Sequence, residues 1–189
     1  MDLKFIAFNK VGMENTEAAL KLAKENSEIL DINDIVIAST RGYTAKKAVE
    51  IFDPSKYNIV IITHSYGFRD DIPQEFDPEL QKELQLKGVK IHSGTLAFSG
   101  IGSALIKTHQ FWDFPSLYAR TIRTIFCDGV KVCHEIVLMA SDAGLVKIGN
   151  DVLAVGGTGR GSDTVCLIKA ASSRNFFNAR IKAILAKPL

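Results

Sequence analysis

Ile35-Val36-Ile37-Ala38-Ser39-Thr40-Arg41-Gly42-Tyr43-Thr44-Ala45 reads as a strand running directly into a helix. Its first four residues are apolar without a break, which suits a parallel strand covered on both faces. From Thr44 to Phe52 the chain reads as a short helix, stopped by Asp53-Pro54. Upstream, Leu3-Lys4-Phe5-Ile6-Ala7-Phe8 reads as a first strand. Asn15 or Thr16 offers a helix cap, and Ala19, Leu20, Leu22, Ala23, Ile29 and Leu30 follow near helical spacing. Downstream, Asn58-Ile59-Val60-Ile61-Ile62-Thr63 is a third buried strand. Asp77-Pro78 opens a helix that ends near Gly88, and Val89-Lys90-Ile91-His92 is a fourth strand.

The pattern weakens from 93 to 115, where Gly, Ser and aromatic residues suggest a long loop with short helical pieces. From Pro115 to Ala143 apolar residues keep helical spacing, and Gly129 either kinks this helix or splits it. Asp151-Val152-Leu153-Ala154-Val155 is a fifth strand. Two more follow at 164–168 and 181–185, with too little chain between them for crossover helices, so antiparallel pairing is expected there. The alternation predicts an α/β class fold, a three-layer α/β/α architecture with a mainly parallel sheet and an antiparallel edge. No linker or repeat divides the chain, so residues 1–189 are read as one domain.

Composition removes several functions. Among 189 residues, 47% are hydrophobic and 23% charged, with a net charge of +2, so no basic stripe points to nucleic acid. No apolar run reaches the length of a membrane span, and the start lacks the pattern of a signal peptide. Cys127, Cys133 and Cys166 have no metal or redox spacing and fit free thiols in a reducing compartment, so a cytoplasmic location is expected. No G-x-S-x-G elbow, Walker loop or glycosidase-like carboxylate pair occurs.

The turn at 39–44 carries the strongest chemistry. It sits at the carboxyl end of a strand and at a helix start, where free N–H groups and a partial positive charge favour an anion. Gly42 permits close backbone approach, Ser39, Thr40 and Thr44 offer hydroxyls, Arg41 offers a charged fork, and Tyr43 lies between them. The plainer alternative is a capped turn in which Thr44 caps the helix and Gly42 supplies a positive φ.

Gly156-Gly157-Thr158-Gly159-Arg160-Gly161-Ser162-Asp163-Thr164 follows the fifth strand but fails as a dinucleotide fingerprint, because Ser162 replaces the third glycine. Gly157, Thr158, Gly159 and Asp163 either line the same crevice, with Asp163 on a sugar or ribityl hydroxyl, or form a tight turn with Asp163 bonding local backbone. His64 with Ser65, and Gly94 with Thr95 after His92, end the third and fourth strands and are further candidates. Tyr66, Phe68, Phe98, Phe111, Trp112 and Phe114 either wall a planar ring or anchor a long loop. His134 and Glu135 are read as structural or interfacial. The apolar content from 115 to 143 suggests a homodimer seam.

Taken together, these motifs resemble the C-terminal α/β domain of pyruvate kinase. There a Thr/Ser-x-Ser-Gly-x-Thr/Ser-Ala turn holds an effector phosphate in some enzymes, and Ser39-Thr40-Arg41-Gly42-Tyr43-Thr44-Ala45 is similar to it. The run 155–164 resembles that domain's closing glycine-rich loop. More closely, Thr63-His64-Ser65-Tyr66-Gly67-Phe68-Arg69, Ser93-Gly94-Thr95, Ser99-Gly100-Ile101-Gly102, Lys131-Val132-Cys133-His134-Glu135-Ile136 and Asp142-Ala143-Gly144-Leu145 look like motifs of stand-alone archaeal proteins built on this domain. That resemblance implies flavin mononucleotide (FMN), a phosphorylated small molecule, as cofactor. Its phosphate would lie at 39–44, its ring near His64 and Thr95, and the late glycine turn would close the pocket. Arg41 departs from the usual Ser, losing a hydroxyl and bringing either crowding or a cation. Nothing here resembles the catalytic barrel, so no transfer from phosphoenolpyruvate is implied. A flavin-dependent oxidoreductase and a non-catalytic sensor of a phosphorylated metabolite both remain open, since no acid–base set stands out.

Overall fold

In the computed structural model, which describes residues 2–189, Ile35, Val36 and Ile37 lie fully buried near the centre of one sheet. The strands are β1 (Ile6–Phe8), β2 (Asp34–Ala38), β3 (Asn58–Thr63), β4 (Lys90–Ser93), β5 (Asp151–Gly156), β6 (Thr164–Lys169) and β7 (Arg180–Pro188). They are ordered β1-β7-β6-β5-β2-β3-β4. β2 pairs parallel with β3 and β5, β3 with β4, and β1 with β7. The antiparallel pairing expected among the late strands is present, because β6 runs against both β5 and β7.

The alternation of side chains along each strand builds two cores. Ile35, Ile37, Ile59, Ile61, Leu153 and Val155 pack with α1 (Thr16–Leu30), α2 (Tyr43–Ile51) and α3 (Pro78–Leu86). Val36, Val60, Ile62, Val152 and Ala154 pack with α6 (Asp128–Asp142) on the other face. Strands buried on both faces need apolar residues at every position, which is why these runs show no polar alternation.

Three expectations are refined. The segment 93–115 holds a nine-residue helix, α4 (Ile101–His109), hidden in sequence by its Gly and Ser content. The helical run from 115 to 143 takes the split form, as two helices, α5 (Phe114–Ile125) and α6. The break is at Phe126 and Cys127, not at Gly129, since Cys127 is fully extended at φ −175°. Gly129 has another role. A Cβ there would overlap the Thr164 side chain, so the glycine lets α6 press onto β6. The apolar richness of α6 is consumed inside the chain, where twelve of its fifteen residues are buried. Exposed apolar residues lie instead on α5, at Phe114, Leu117 and Ile125.

Candidate functional site

The parallel register lines up the carboxyl ends of four strands. Ile37 pairs with Val155, Ala38 with Ile62, and Thr63 with Ser93. The segments 156–158, 39–42, 64–65 and 93–95 therefore leave the sheet side by side along one edge, as the sequence placed them.

Gly42 is the N-cap of α2, with φ +97°. A Cβ there would overlap Leu80 of α3, and Phe76 packs nearby. Gly42→Ala is therefore expected to cost about 2–3 kcal/mol, from left-handed strain plus overpacking. Urea unfolding measures it, and a cost under about 0.5 kcal/mol contradicts the packing described.

Ser39 performs the capping that the sequence offered to Thr44: its Oγ accepts from the Ala45 amide at 3.2 Å. Thr44 is buried, its Oγ1 3.5 Å from Ser162 Oγ of the late glycine turn. Lys46 N–H donates to the Gly42 carbonyl, so the helix ladder begins there. Among the described residues, the amides of Thr40, Arg41, Gly42, Tyr43 and Thr44 donate to no protein acceptor. Five consecutive free amides at a helix start form a concentration of positive potential.

Glu75, which the sequence did not single out, organises the charges beside this turn. Its side chain is only 4% exposed, and Oε1 takes Arg69 Nε at 2.9 Å and Arg41 at 3.4 Å. Oε2 lies 2.7 Å from His64 Nδ1. Burial works against the charged carboxylate, but His64 and Arg69 outweigh it and hold Glu75 below the usual glutamate range. Phe68 stacks on His64, with ring centroids 3.9 Å apart. Gln74 and Ser93 both donate to the His64 carbonyl. The segment 64–76 thus forms a strap tied to Arg41 through one carboxylate. No periodicity marks Glu75 in the sequence; it reaches the site because Phe76 and Leu80 pack beneath Gly42.

The late turn is stitched inward. Asp163 is fully buried, and its Oδ2 accepts from the amides of Gly12 at 3.1 Å and Thr158 at 3.3 Å, while Oδ1 accepts from Thr164 Oγ1 at 2.8 Å. These are bonds of the tight-turn alternative, extended to the Gly12 loop. Ser162 N–H donates to Thr16 Oγ1 at 3.0 Å, tying the turn to α1. Thr158 Oγ1 is buried without a partner. Gly157 is packed closely, while Gly159 has open space around it.

Gly94 and Thr95 line a cavity of about 700 Å³ beside α4, α5 and the end of α6, and none of residues 39–44 lines it. His64 stays with the turn at 39–44 through Glu75 and Arg41, while Thr95 opens toward this second space. Among the described residues no cluster of His, Cys, Asp and Glu could hold a metal ion, and no helix is long and apolar enough to cross a membrane.

A family described as pyruvate kinase, alpha/beta domain, matches residues 17–169. The chain belongs to that family. Within this pyruvate kinase alpha/beta domain, the match runs from the start of α1 to the end of β6. It covers the contiguous strands β6-β5-β2-β3-β4, while β7 and β1 extend the sheet beyond β6. Among solved structures, the chain is similar to Cryptosporidium parvum pyruvate kinase in complex with ADP, at 16% identity and TM-score 0.47, over 87% of this chain and 25% of that one. A second Cryptosporidium parvum pyruvate kinase structure aligns at 15% identity and TM-score 0.41, over 82% of this chain and 22% of the other. The alpha/beta domain described here therefore spans a quarter or less of those enzymes.

Proposed function

We propose that this pyruvate kinase alpha/beta domain binds a phosphorylated small molecule, with the phosphate on the amides of residues 40–44. The observation that carries the reading is the run of five unpaired amides at the start of α2. Arg41 stands beside them, held by Glu75, so a phosphate competes with that carboxylate for its guanidinium.

FMN is the ligand carried forward, on the motif resemblance. Its phosphate fits the open amides, and Tyr43, Tyr66 and Phe68 are exposed apolar rings along the same edge. The ribityl contact expected from Asp163 does not fit, because that carboxylate is buried on its own chain. Bound flavin would supply hydride or electron transfer, and the chain's part is to hold its phosphate. Tighter binding of FMN than of riboflavin supports this assignment. Equal affinity for the two, or none for either, removes FMN.

The second reading, a non-catalytic sensor, is favoured by the Glu75 strap. An anion that draws Arg41 away loosens one tie on the segment 64–76 and so couples occupancy to loop position. Opposite mutational signs test the shared phosphate claim by calorimetry. Arg41→Ala is expected to weaken binding about tenfold, and Glu75→Gln to tighten it about two- to fivefold by freeing the arginines. Unchanged affinity in both contradicts the site. A homo-oligomer is proposed through α5 rather than α6, because Phe114, Leu117 and Ile125 are exposed there.

A further inference from the structure

The cavity that takes in Gly94 and Thr95 differs in charge from the turn at 39–44. Its volume of about 700 Å³ is in the range of small-molecule sites. Leu96, Phe98, Pro115 and Met139 give it an apolar lining, with Phe98 and Met139 almost fully buried. Its ionisable lining groups are Asp113, Asp142 and His92, and no Lys or Arg is among the lining residues.

Each carboxylate has one oxygen committed to its own chain. Asp113 Oδ1 accepts the Ser116 amide at 3.0 Å as the cap of α5. Asp142 Oδ1 accepts the Ser173 amide at 2.8 Å. Among the described residues neither is in an ion pair. The Ser116 side chain also hydrogen-bonds Asp113 and holds it below the usual aspartate range, while Asp142 is exposed to solvent. Gly102 makes room for Asp113, since a Cβ there would sit 2.7 Å from both carboxylate oxygens. An apolar cavity whose lining carries two carboxylates and no Lys or Arg repels an anion and attracts a cation.

We infer that this cavity is a second ligand site, selective for a small molecule with a protonated amine on an apolar body. The amine would sit between Asp113 and Asp142, with the apolar body against Met139, Phe98 and Leu96. The site is independent of the phosphate reading, because its lining shares no residue with 39–44.

The chain has three methionines, so ¹³C-methyl-methionine spectra are simple, and Met139→Leu assigns the reporter inside the cavity. Three probes of similar size are titrated: phenethylamine, 2-phenylethanol and 3-phenylpropionate. The expected result is a saturable Met139 shift with the amine, binding of the alcohol weaker by about tenfold, and no shift with the carboxylate. Asp113→Asn and Asp142→Asn, singly and together, keep the acceptor oxygens for Ser116 and Ser173 while removing charge. Each single change is expected to reduce the preference for amine over alcohol, and the pair to abolish it. Equal binding of amine and alcohol by the unmodified chain, a preference that survives in the variants, or a Met139 methyl unmoved at millimolar amine would each overturn the inference.

Discussion

Glu135→Gln is expected to lower folding stability by about 3–5 kcal/mol at neutral pH, the usual cost of stranding one charge of a buried pair. The Lys131 and Glu135 side chains are 3% and 6% exposed, four residues apart on α6. Lys131 Nζ donates to Glu135 Oε2 and to Ser99 Oγ, and Glu135 Oε1 accepts the Phe98 amide at 2.7 Å. The pair therefore fastens the segment before α4 to the long buried helix. Burial pushes the Lys131 ammonium below the ordinary lysine range, and Glu135 is the main group opposing that shift. Without the carboxylate, Lys131 sheds its proton more readily in the folded chain than in the unfolded one. The unfolded state then binds more protons, so the variant's deficit shrinks as pH rises. Adding Lys131→Met to Glu135→Gln removes the stranded charge, and the introduced amide oxygen still accepts from the Phe98 N–H. The double variant is expected to recover most of the loss. Urea unfolding of both variants at two pH values measures this, and a double variant no more stable than the single one contradicts it.

The second large effect is acid sensitivity from His134. Its ring is 3% exposed and enclosed by Phe98, Tyr118 and Phe176 at centroid distances of 5.6, 5.6 and 5.4 Å. Burial keeps the Tyr118 phenol protonated to higher pH than usual, so it donates to His134 Nδ1 at 2.6 Å. Nε2 then carries the imidazole proton toward the Ala179 backbone without an aligned acceptor. Burial lowers the His134 pKa from 6.5 to about 4, with only weak opposition from Ala179. Between these values the unfolded chain binds a proton that the folded chain refuses. Stability therefore falls as pH drops from about 6.5 to about 4, by about 3 kcal/mol in total, and levels off below. His134→Gln lacks this titration, so the difference between unmodified and variant unfolding curves isolates it from the carboxylates. Parallel pH profiles for the two proteins contradict the assignment.

How much of this was legible beforehand differs by element. β2, β3 and β5 were readable because a strand buried on both faces leaves unbroken apolar runs, such as those at 35–38 and 59–62. The boundary between α5 and α6 was not, since apolar spacing continues across Phe126 and Cys127 while the backbone turns extended. α4 was obscured because its neighbouring glycines serve close packing, as at Gly102 against Asp113, rather than breaking the helix. At the site, the location of the turn followed from strand–helix order alone. The inward commitment of Asp163 depends on the Gly12 loop, which is 151 residues away in sequence, and no local pattern announces it. Glu75 is likewise placed by tertiary packing, and its capture of Arg41 and His64 emerges only once the strap is folded against α2.

Amide NMR during titration with inorganic phosphate tests the central claim most directly. The account predicts saturable shifts at the amides of Thr40, Arg41, Gly42, Tyr43 and Thr44, weakened in Arg41→Ala. At the amino ends of β5 and β7, Lys169, Arg180 and Lys182 line a polar cavity of about 570 Å³. Shifts confined to that cavity, with the five amides at 40–44 unmoved, would contradict the account.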